Sequence, residues 1–365
     1  MVRWRAGDAF LGRLAGWCVD HARVVLAGWI LAAGALNVAV PQLETVVGRD
    51  ATPFLPDALH PSRGIPLIPR ARALCAAAVL LLLGAVRCAS VATPGVSLQR
   101  LSSAHVPKPV RYLVLQPPSY DSSPGRRYPV LYFLHDGYGT ERTLARRGVA
   151  EELRVRMADG RLPEFFVVAP AGRGTWFSDS HDGKVRYEQF LVEELLPEVE
   201  SRYRVIPGRA GRGATGISMG GYGAVKLGLK HPDLFGAVSS LSGPLIPISW
   251  DDLALYGWRT KRLLTRVFGE SREDNSLAEN DVWQIARSLR IADPPAVQLR
   301  GGTEDLYGLG RVAAQFGAYL AEQGVPTTVV MEPGEHRWSY WRAAVLAVCE
   351  WHAKRFTYDR AGSQR

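Results

Sequence analysis

The sequence predicts an α/β protein, a mostly parallel sheet with helices on both faces, preceded by a hydrophobic N-terminal leader. Three observations carry this. From about residue 105 to 357, short apolar runs alternate with segments of helical periodicity, the signature of successive βαβ units. One run, 214–217, passes straight into Gly216-Ile217-Ser218-Met219-Gly220 and then a helical pattern, which is a strand–turn–helix with a serine at the turn. The 365 residues, 47% of them apolar, can bury a large core without disulfides or metals.

The first 92 residues differ from the rest. Residues 24–40 (VVLAGWILAAGALNVAV) carry no charge and one strongly polar side chain, Asn37, at the short limit of a membrane-crossing helix. Arg3, Arg5, Arg13 and Arg23 precede them and would hold their start on the cytoplasmic side. A buried core helix is the alternative. Residues 74–86 (LCAAAVLLLLGAV) are too short to cross a bilayer comfortably. With Arg70 and Arg72 before them and Ser90-Val91-Ala92 behind, they have the layout of a secretory signal cleaved after Ala92. The expected organisation is an N-terminal segment over 1–69 with one candidate transmembrane helix (24–40), a candidate signal peptide or second membrane segment over 70–92, and a catalytic domain over 105–357. Acting as a signal, 70–92 makes the domain exported (periplasmic or extracellular) or membrane-tethered. Inserted with 24–40 as a hairpin, it returns the domain to the cytoplasm. Export is the preferred reading.

Within the domain, residues 110–115 (VRYLVL) read as a strand, followed by a turn-rich break over 117–125. Residues 130–134 (VLYFL) read as a fully buried strand ending in His135-Asp136-Gly137-Tyr138-Gly139. A helix over 145–157 and a strand over 165–169 follow. Residues 187–203 place Phe190, Leu191, Leu195, Leu196 and Val199 on one helical face. Strand 214–217 leads to a helix over 220–230, then come strands 237–241 and 296–299, helix 312–323, strand 327–331 and a closing helix 338–356. Residues 244–293 have mixed helical character; Trp250, Trp258 and Trp283 there suggest an apolar cap insertion, with ordinary packing the alternative.

Charge excludes one class of partner. The net charge is +9, but residues 1–92 supply nine arginines against five acids, +4, leaving +5 spread over the remainder. That is too dilute for a polynucleotide footprint, so no nucleic-acid partner is expected. The four cysteines, at 18, 75, 88 and 349, form no C-x-x-C pair, and neither a zinc site nor a disulfide framework is expected. Gly211-Arg212-Gly213-Ala214-Thr215-Gly216 fits G-x-G-x-x-G, with Asp233 further on. Its glycines lie before and within a strand instead of opening a helix, so no dinucleotide is read from it. No metal or cofactor is called for.

The chemistry centres on Ser218. A serine between strand and helix sits on a backbone too sharp for side chains two positions away, hence the flanking glycines. Its hydroxyl projects above the sheet edge, and the next backbone N–H, that of Met219, becomes an oxyanion donor at a helix start. Such a nucleophile needs an acid and then a histidine later in the chain. His231 follows the elbow helix, far from the catalytic edge, and His352 lies inside the last helix. His336, in the loop after strand 327–331, is the candidate base. Asp305, after strand 296–299, is the candidate acid, with Glu304 its nearest rival. The second oxyanion donor belongs in the loop 135–139, whose glycines allow close approach. His135 precedes the serine, the wrong order for the base, and reads as structural; Asp136 reads as loop-shaping.

YPVLYFLHDGYG, GRGTWFSDSHDGKVRYEQF, ATGISMGGYGAVKLGLKHPDLFGAVSSLSG, GGTEDLYG and PGEHRWSYW resemble the esterase D / S-formylglutathione hydrolase group of α/β-hydrolases, which includes the antigen 85 mycolyltransferases and enterochelin-esterase-like proteins. The likeness spans about 250 residues, roughly two thirds of the chain, with five motifs in order. It implies the α/β-hydrolase fold, with Ser218 as nucleophile, Asp305 as acid and His336 as base, and the amides of Met219 and of Tyr138 (or Gly137) as the oxyanion hole. It also implies that Trp176, Asp179 and Asp182 lie in a loop shaping the acyl or alcohol site. Residues 23–57 separately resemble the start of an RND/MMPL-type membrane transporter. The remaining helices of such a protein do not follow, so transport is not expected, and a fusion or a start site assigned too far upstream is.

The expected function is a serine carboxylic ester hydrolase acting through an acyl-enzyme on a small-molecule or glycan/lipid ester. Acyl transfer to a sugar or lipid alcohol, of the mycolyltransferase type, is the enzymatic alternative. A non-catalytic hydrolase-fold binding protein is the other. The leader makes membrane association an expectation as well.

Overall fold

The computed structural model describes residues 94–247, 258–270, 276–289 and 293–358. The assignments made for residues 1–92, including the candidate transmembrane helix and signal peptide, lie outside the described residues, as do Trp250 and other parts of the candidate cap.

Eight strands form one sheet: β1 (Val96–Leu101), β2 (Val110–Leu115), β3 (Val130–Leu134), β4 (Phe166–Pro170), β5 (Arg212–Ile217), β6 (Ala237–Leu241), β7 (Ala296–Gly302) and β8 (Thr327–Glu332). Their spatial order is β1-β2-β4-β3-β5-β6-β7-β8. The β1–β2 and β2–β4 pairs are antiparallel, and every pair from β4 through β8 is parallel. The central strands are buried end to end because helices cover both faces.

On one face lie α3, formed by Tyr187–Gln189, a π-helical turn Phe190–Leu195 and Leu196–Arg202; α4 (Met219–Lys230); and α8 (Leu309–Glu322), with Phe190, Tyr222 and Phe316 in the core between them and the sheet. On the other lie α2 (Val149–Ala158) and α9 (Trp338–Ala353), packed through Leu153, Trp341 and Val345. Short α1 (Thr143–Arg146) precedes α2, and α5 (Trp258–Phe268), α6 (Ser276–Glu279) and α7 (Val282–Ser288) occupy the long β6–β7 connection.

Where the elements depart from sequence expectation, the cause is local. The helix expected over 145–157 is two, broken where Gly148 takes φ +71° and starts α2 afresh. The π turn in α3 sits just ahead of Pro197, which has no N–H for the preceding turn. Strand β7 runs on to Gly302 because Arg300, Gly301 and Gly302 keep pairing with Val330, Met331 and Glu332 of β8. Strand β1 was not expected at all. As an edge strand it is only partly buried, and Ser97, Gln99 and Arg100 dilute its apolar signal.

Candidate active site

Ser218 sits between β5 and α4 with φ 52° and ψ −117°, a conformation costing a non-glycine residue about 1–3 kcal/mol. The surroundings impose it. Its N–H donates to the Leu241 carbonyl at the end of β6 (2.8 Å), and its carbonyl accepts from the Tyr222 N–H one turn into α4 (3.1 Å). The flanking glycines are a matter of space: a Cβ on Gly216 would strike the backbone of Gly220, and one on Gly220 would strike the Leu134 carbonyl at the end of β3.

The ends of β7 and β8 bring the other two groups to this turn. The Thr303 N–H donates to the Glu332 carbonyl (2.9 Å) and the Glu304 N–H to the Gly334 carbonyl (3.0 Å), so the two loops are knitted together. Asp305 is buried between them. Its Oδ1 accepts the Tyr307 N–H at 2.9 Å, and its Oδ2 lies 2.9 Å from His336 Nδ1. His336 Nε2 lies 3.0 Å from Ser218 Oγ. With Asp305 able only to accept, the neutral imidazole carries its proton on Nδ1 and offers Nε2 to the serine hydroxyl. Glu304 is exposed, so the carboxylate facing His336 is that of Asp305.

Packing fixes the imidazole from both sides, with Trp341 of α9 edge-on at 4.8 Å and Tyr307 edge-on at 5.1 Å between ring centres. Trp341 in turn donates from Nε1 to Ser242 Oγ (3.2 Å), and Ser242 holds φ 49° just after β6, its N–H on the Arg300 carbonyl (2.8 Å). Sequence reasoning found none of these three supports. The only hint was two tryptophans closely following His336 in the sequence.

Met219 opens α4, so its N–H is among the unpaired donors of a helix start. The Tyr138 N–H donates to Asp136 Oδ1 at 3.0 Å, while the Tyr138 ring is almost wholly exposed. Gly137 is exposed with open space where a Cβ would stand; Gly139 is the crowded glycine, a Cβ there lying 2.8 Å from both His135 Cβ and Thr143 Oγ1. His135 is fully buried, with Nδ1 2.7 Å from the Asp136 carbonyl and Nε2 accepting the Gly172 N–H (2.9 Å). Burial pushes its pKa down and keeps it neutral, a structural strut for the loop.

The three residues expected to shape the substrate site are placed differently from one another. Trp176 (φ 54°) packs edge-on to Tyr222 of α4 at 5.7 Å and leans on Phe268 of α5 at 6.4 Å. Asp179 accepts the N–H groups of Glu188 (2.7 Å) and Gln189 (3.2 Å) at the start of α3, and burial raises its pKa. Asp182 closes an exposed turn onto Lys184 Nζ (2.8 Å) and Ser180 Oγ (2.7 Å), which hold its carboxyl below the usual range.

Behind Trp176 lies a buried charge cluster with no counterpart among the sequence expectations. Lys226 Nζ of α4, fully buried, meets the Phe177 carbonyl (3.0 Å), Ser178 Oγ (2.5 Å), Glu188 Oε2 (2.6 Å) and Asn280 Oδ1 (3.0 Å). Glu188 also meets Lys230 (2.8 Å) and His231 (3.0 Å). Burial pushes the Glu188 carboxyl up, but Lys226, the hydrogen bond from His231 and Lys230 more than reverse this and hold it well below the usual range. The cluster ties the elbow helix to the strained Trp176–Phe177 turn. His352, the other late histidine, is sealed beside Ser239 Oγ at 2.9 Å.

The sheet order, the antiparallel β2 and the serine elbow define an α/β-hydrolase. Residues 103–352 match the family described as Putative esterase, and the chain belongs to that family. Among curated proteins it is similar to Esterase Rv1288 of Mycobacterium tuberculosis, 37% identical over 134 residues, which is 36% of this chain but 28% of that relative's length. An acetyl esterase of Caldicellulosiruptor saccharolyticus is 25% identical over 197 residues, covering 52% of this chain and 71% of the relative. Among solved structures, a ferulic acid esterase superposes with TM-score 0.61 and 27% identity, over 72% of this chain and 98% of its own. An S-formylglutathione hydrolase from Agrobacterium tumefaciens (TM-score 0.56, 18% identity, 72% and 95% covered) shares the fold.

Proposed function

We propose that the protein is a serine carboxylic ester hydrolase in which Ser218, His336 and Asp305 form the catalytic triad. The observation that carries this is the unbroken relay from Ser218 Oγ to His336 Nε2 (3.0 Å) and from Nδ1 to Asp305 Oδ2 (2.9 Å). His336 takes the hydroxyl proton as Ser218 Oγ attacks the ester carbonyl; Asp305 holds the tautomer and stabilises the imidazolium. The tetrahedral oxyanion is stabilised by the Met219 amide and by the Tyr138 amide, which shifts its hydrogen bond from Asp136 Oδ1 to the substrate. Collapse expels the alcohol, which takes the proton from His336. Water activated by His336 then releases the acid.

The acetyl and ferulic acid esterase relatives support a small acyl group, and the Trp176–Tyr222–Phe268 aromatic cluster beside α4 supports an apolar wall for it. In the same reading the domain works outside the cytoplasm, exported or tethered through the leader, and N-terminal sequencing of the mature protein tests that. For the chemistry, hydrolysis of p-nitrophenyl acetate by wild type and Ser218→Ala decides: loss of turnover in the variant is expected, and retained turnover would overturn the proposal.

A further inference from the structure

We propose that the catalytic edge of the sheet carries a second, anion-binding subsite two to four strands from Ser218, which holds a carboxylate or phosphate group of an extended ester substrate. A cavity of about 390 Å³ opens there, walled by Arg100, Lys108, Arg111, Arg173, Val106 and Tyr187. Four of the ten lining residues are cationic, and all four are exposed to solvent. Arg100 and Arg111 stand directly opposite each other in the β1–β2 register, and like charges so placed destabilise a strand pair. Only Arg111 is compensated, its Nε 3.2 Å from Glu141 Oε1. Among the described residues Arg100, Lys108 and Arg173 form no ion pair or side-chain hydrogen bond.

A fold that gathers four cations and neutralises one has built a site for an external anion. The walls are held in shape: the Tyr187 hydroxyl donates to the Ala171 carbonyl (2.7 Å), the Ala171 N–H to the Arg111 carbonyl (2.9 Å), and Thr175 Oγ1 to the Gly172 carbonyl (2.8 Å).

Topology puts this cavity on the same side of the sheet as the nucleophile. Leu101 pairs with Val110 and Tyr112 with Pro170, so the end of β1 and the start of β2 lie with the C-terminal end of β4, beside those of β3 and β5. From β5 to β2 is three strand spacings, about 14 Å, and to β1 about 19 Å. A ligand bridging both sites therefore has its ester and its anionic group that far apart, the reach of an oligomer rather than of a simple acetate. This deepens the esterase reading and rests on it only for what occupies the other end.

The test is calorimetric titration of the full chain with trigalacturonate, with inorganic phosphate and with uncharged galactotriose, in wild type and in the Arg100→Ala/Arg173→Ala double variant. Binding of trigalacturonate or of phosphate, weakened at least tenfold in the double variant and by added salt, supports the subsite; whichever anion binds more tightly identifies the group. The double variant is expected to keep wild-type turnover of p-nitrophenyl acetate, which is too short to reach the cavity. Absence of binding by both anions, equal binding of galactotriose, or affinity unchanged in the double variant would overturn the subsite. Failure of the esterase reading would register separately, as Ser218→Ala retaining turnover.

Discussion

Lys226→Met removes the one cation at the centre of the buried cluster while keeping a long unbranched side chain in its place. The charge on Glu188 loses its closest partner, at 2.6 Å, but keeps Lys230 and His231. The Phe177 carbonyl and Asn280 Oδ1 each lose a donor in a dry environment. Breaking a buried ion pair from one side costs about 3–5 kcal/mol. Lys230 and the His231 hydrogen bond, which remain, push the figure down, and the two stranded acceptors, at about 1 kcal/mol each or more, push it back up. The expected loss is about 3–5 kcal/mol, read as the change in urea unfolding free energy at pH 7, or about 10 °C in Tm. Adding Glu188→Gln removes the uncompensated carboxylate and is expected to restore about 1–2 kcal/mol, a coupling that separate, additive effects would not give. A loss below about 1 kcal/mol, or strict additivity in the double variant, would refute the view that this cluster clamps the Trp176–Phe177 turn to the elbow helix.

Further predictions follow from the same packing. Asp305→Asn leaves His336 without its orienting acceptor, and kcat on p-nitrophenyl acetate should fall about 10³–10⁴-fold with KM little changed; a fall under tenfold would remove Asp305 from the relay. Gly220→Ala drives a Cβ into the Leu134 carbonyl, so a loss of about 3 kcal/mol in stability is expected together with activity, and a fully active, stable variant would contradict the stated elbow geometry. His352, lowered to about 3 by burial and Arg355, resists protonation in the folded state. Its contribution is intact above the unfolded value of 6.5 and is lost as pH falls toward 3, at about 1.4 kcal/mol per unit. His352→Gln should therefore flatten the stability profile between pH 6.5 and 4, and an unchanged slope there would place the acid sensitivity elsewhere.

Most of this architecture was legible because its signals are local. Apolar runs such as 130–134 and 237–241 are buried on both faces and announce themselves as strands, and the glycines beside Ser218 mark a turn that tolerates no side chain. Asp305 and His336 could be placed because each follows a strand whose end faces the serine. What escaped notice depended on contacts remote in sequence. Lys226 and Glu188 lie 38 residues apart and meet only once folding buries them against each other. Trp341 braces His336 only because α9 packs under β6, and Arg100 becomes notable only when β1 sets it opposite Arg111. Strand β1 itself was missed because half-exposed edge strands carry little periodic apolar signal.

The central claim, that Ser218 is an activated nucleophile, is tested most directly by fluorophosphonate labelling of the full chain followed by peptide mass mapping. The account predicts a single adduct on the tryptic peptide spanning 213–226, with its site at Ser218, and no adduct in Ser218→Ala. An unlabelled wild type, or an adduct carried by a different serine, would contradict it.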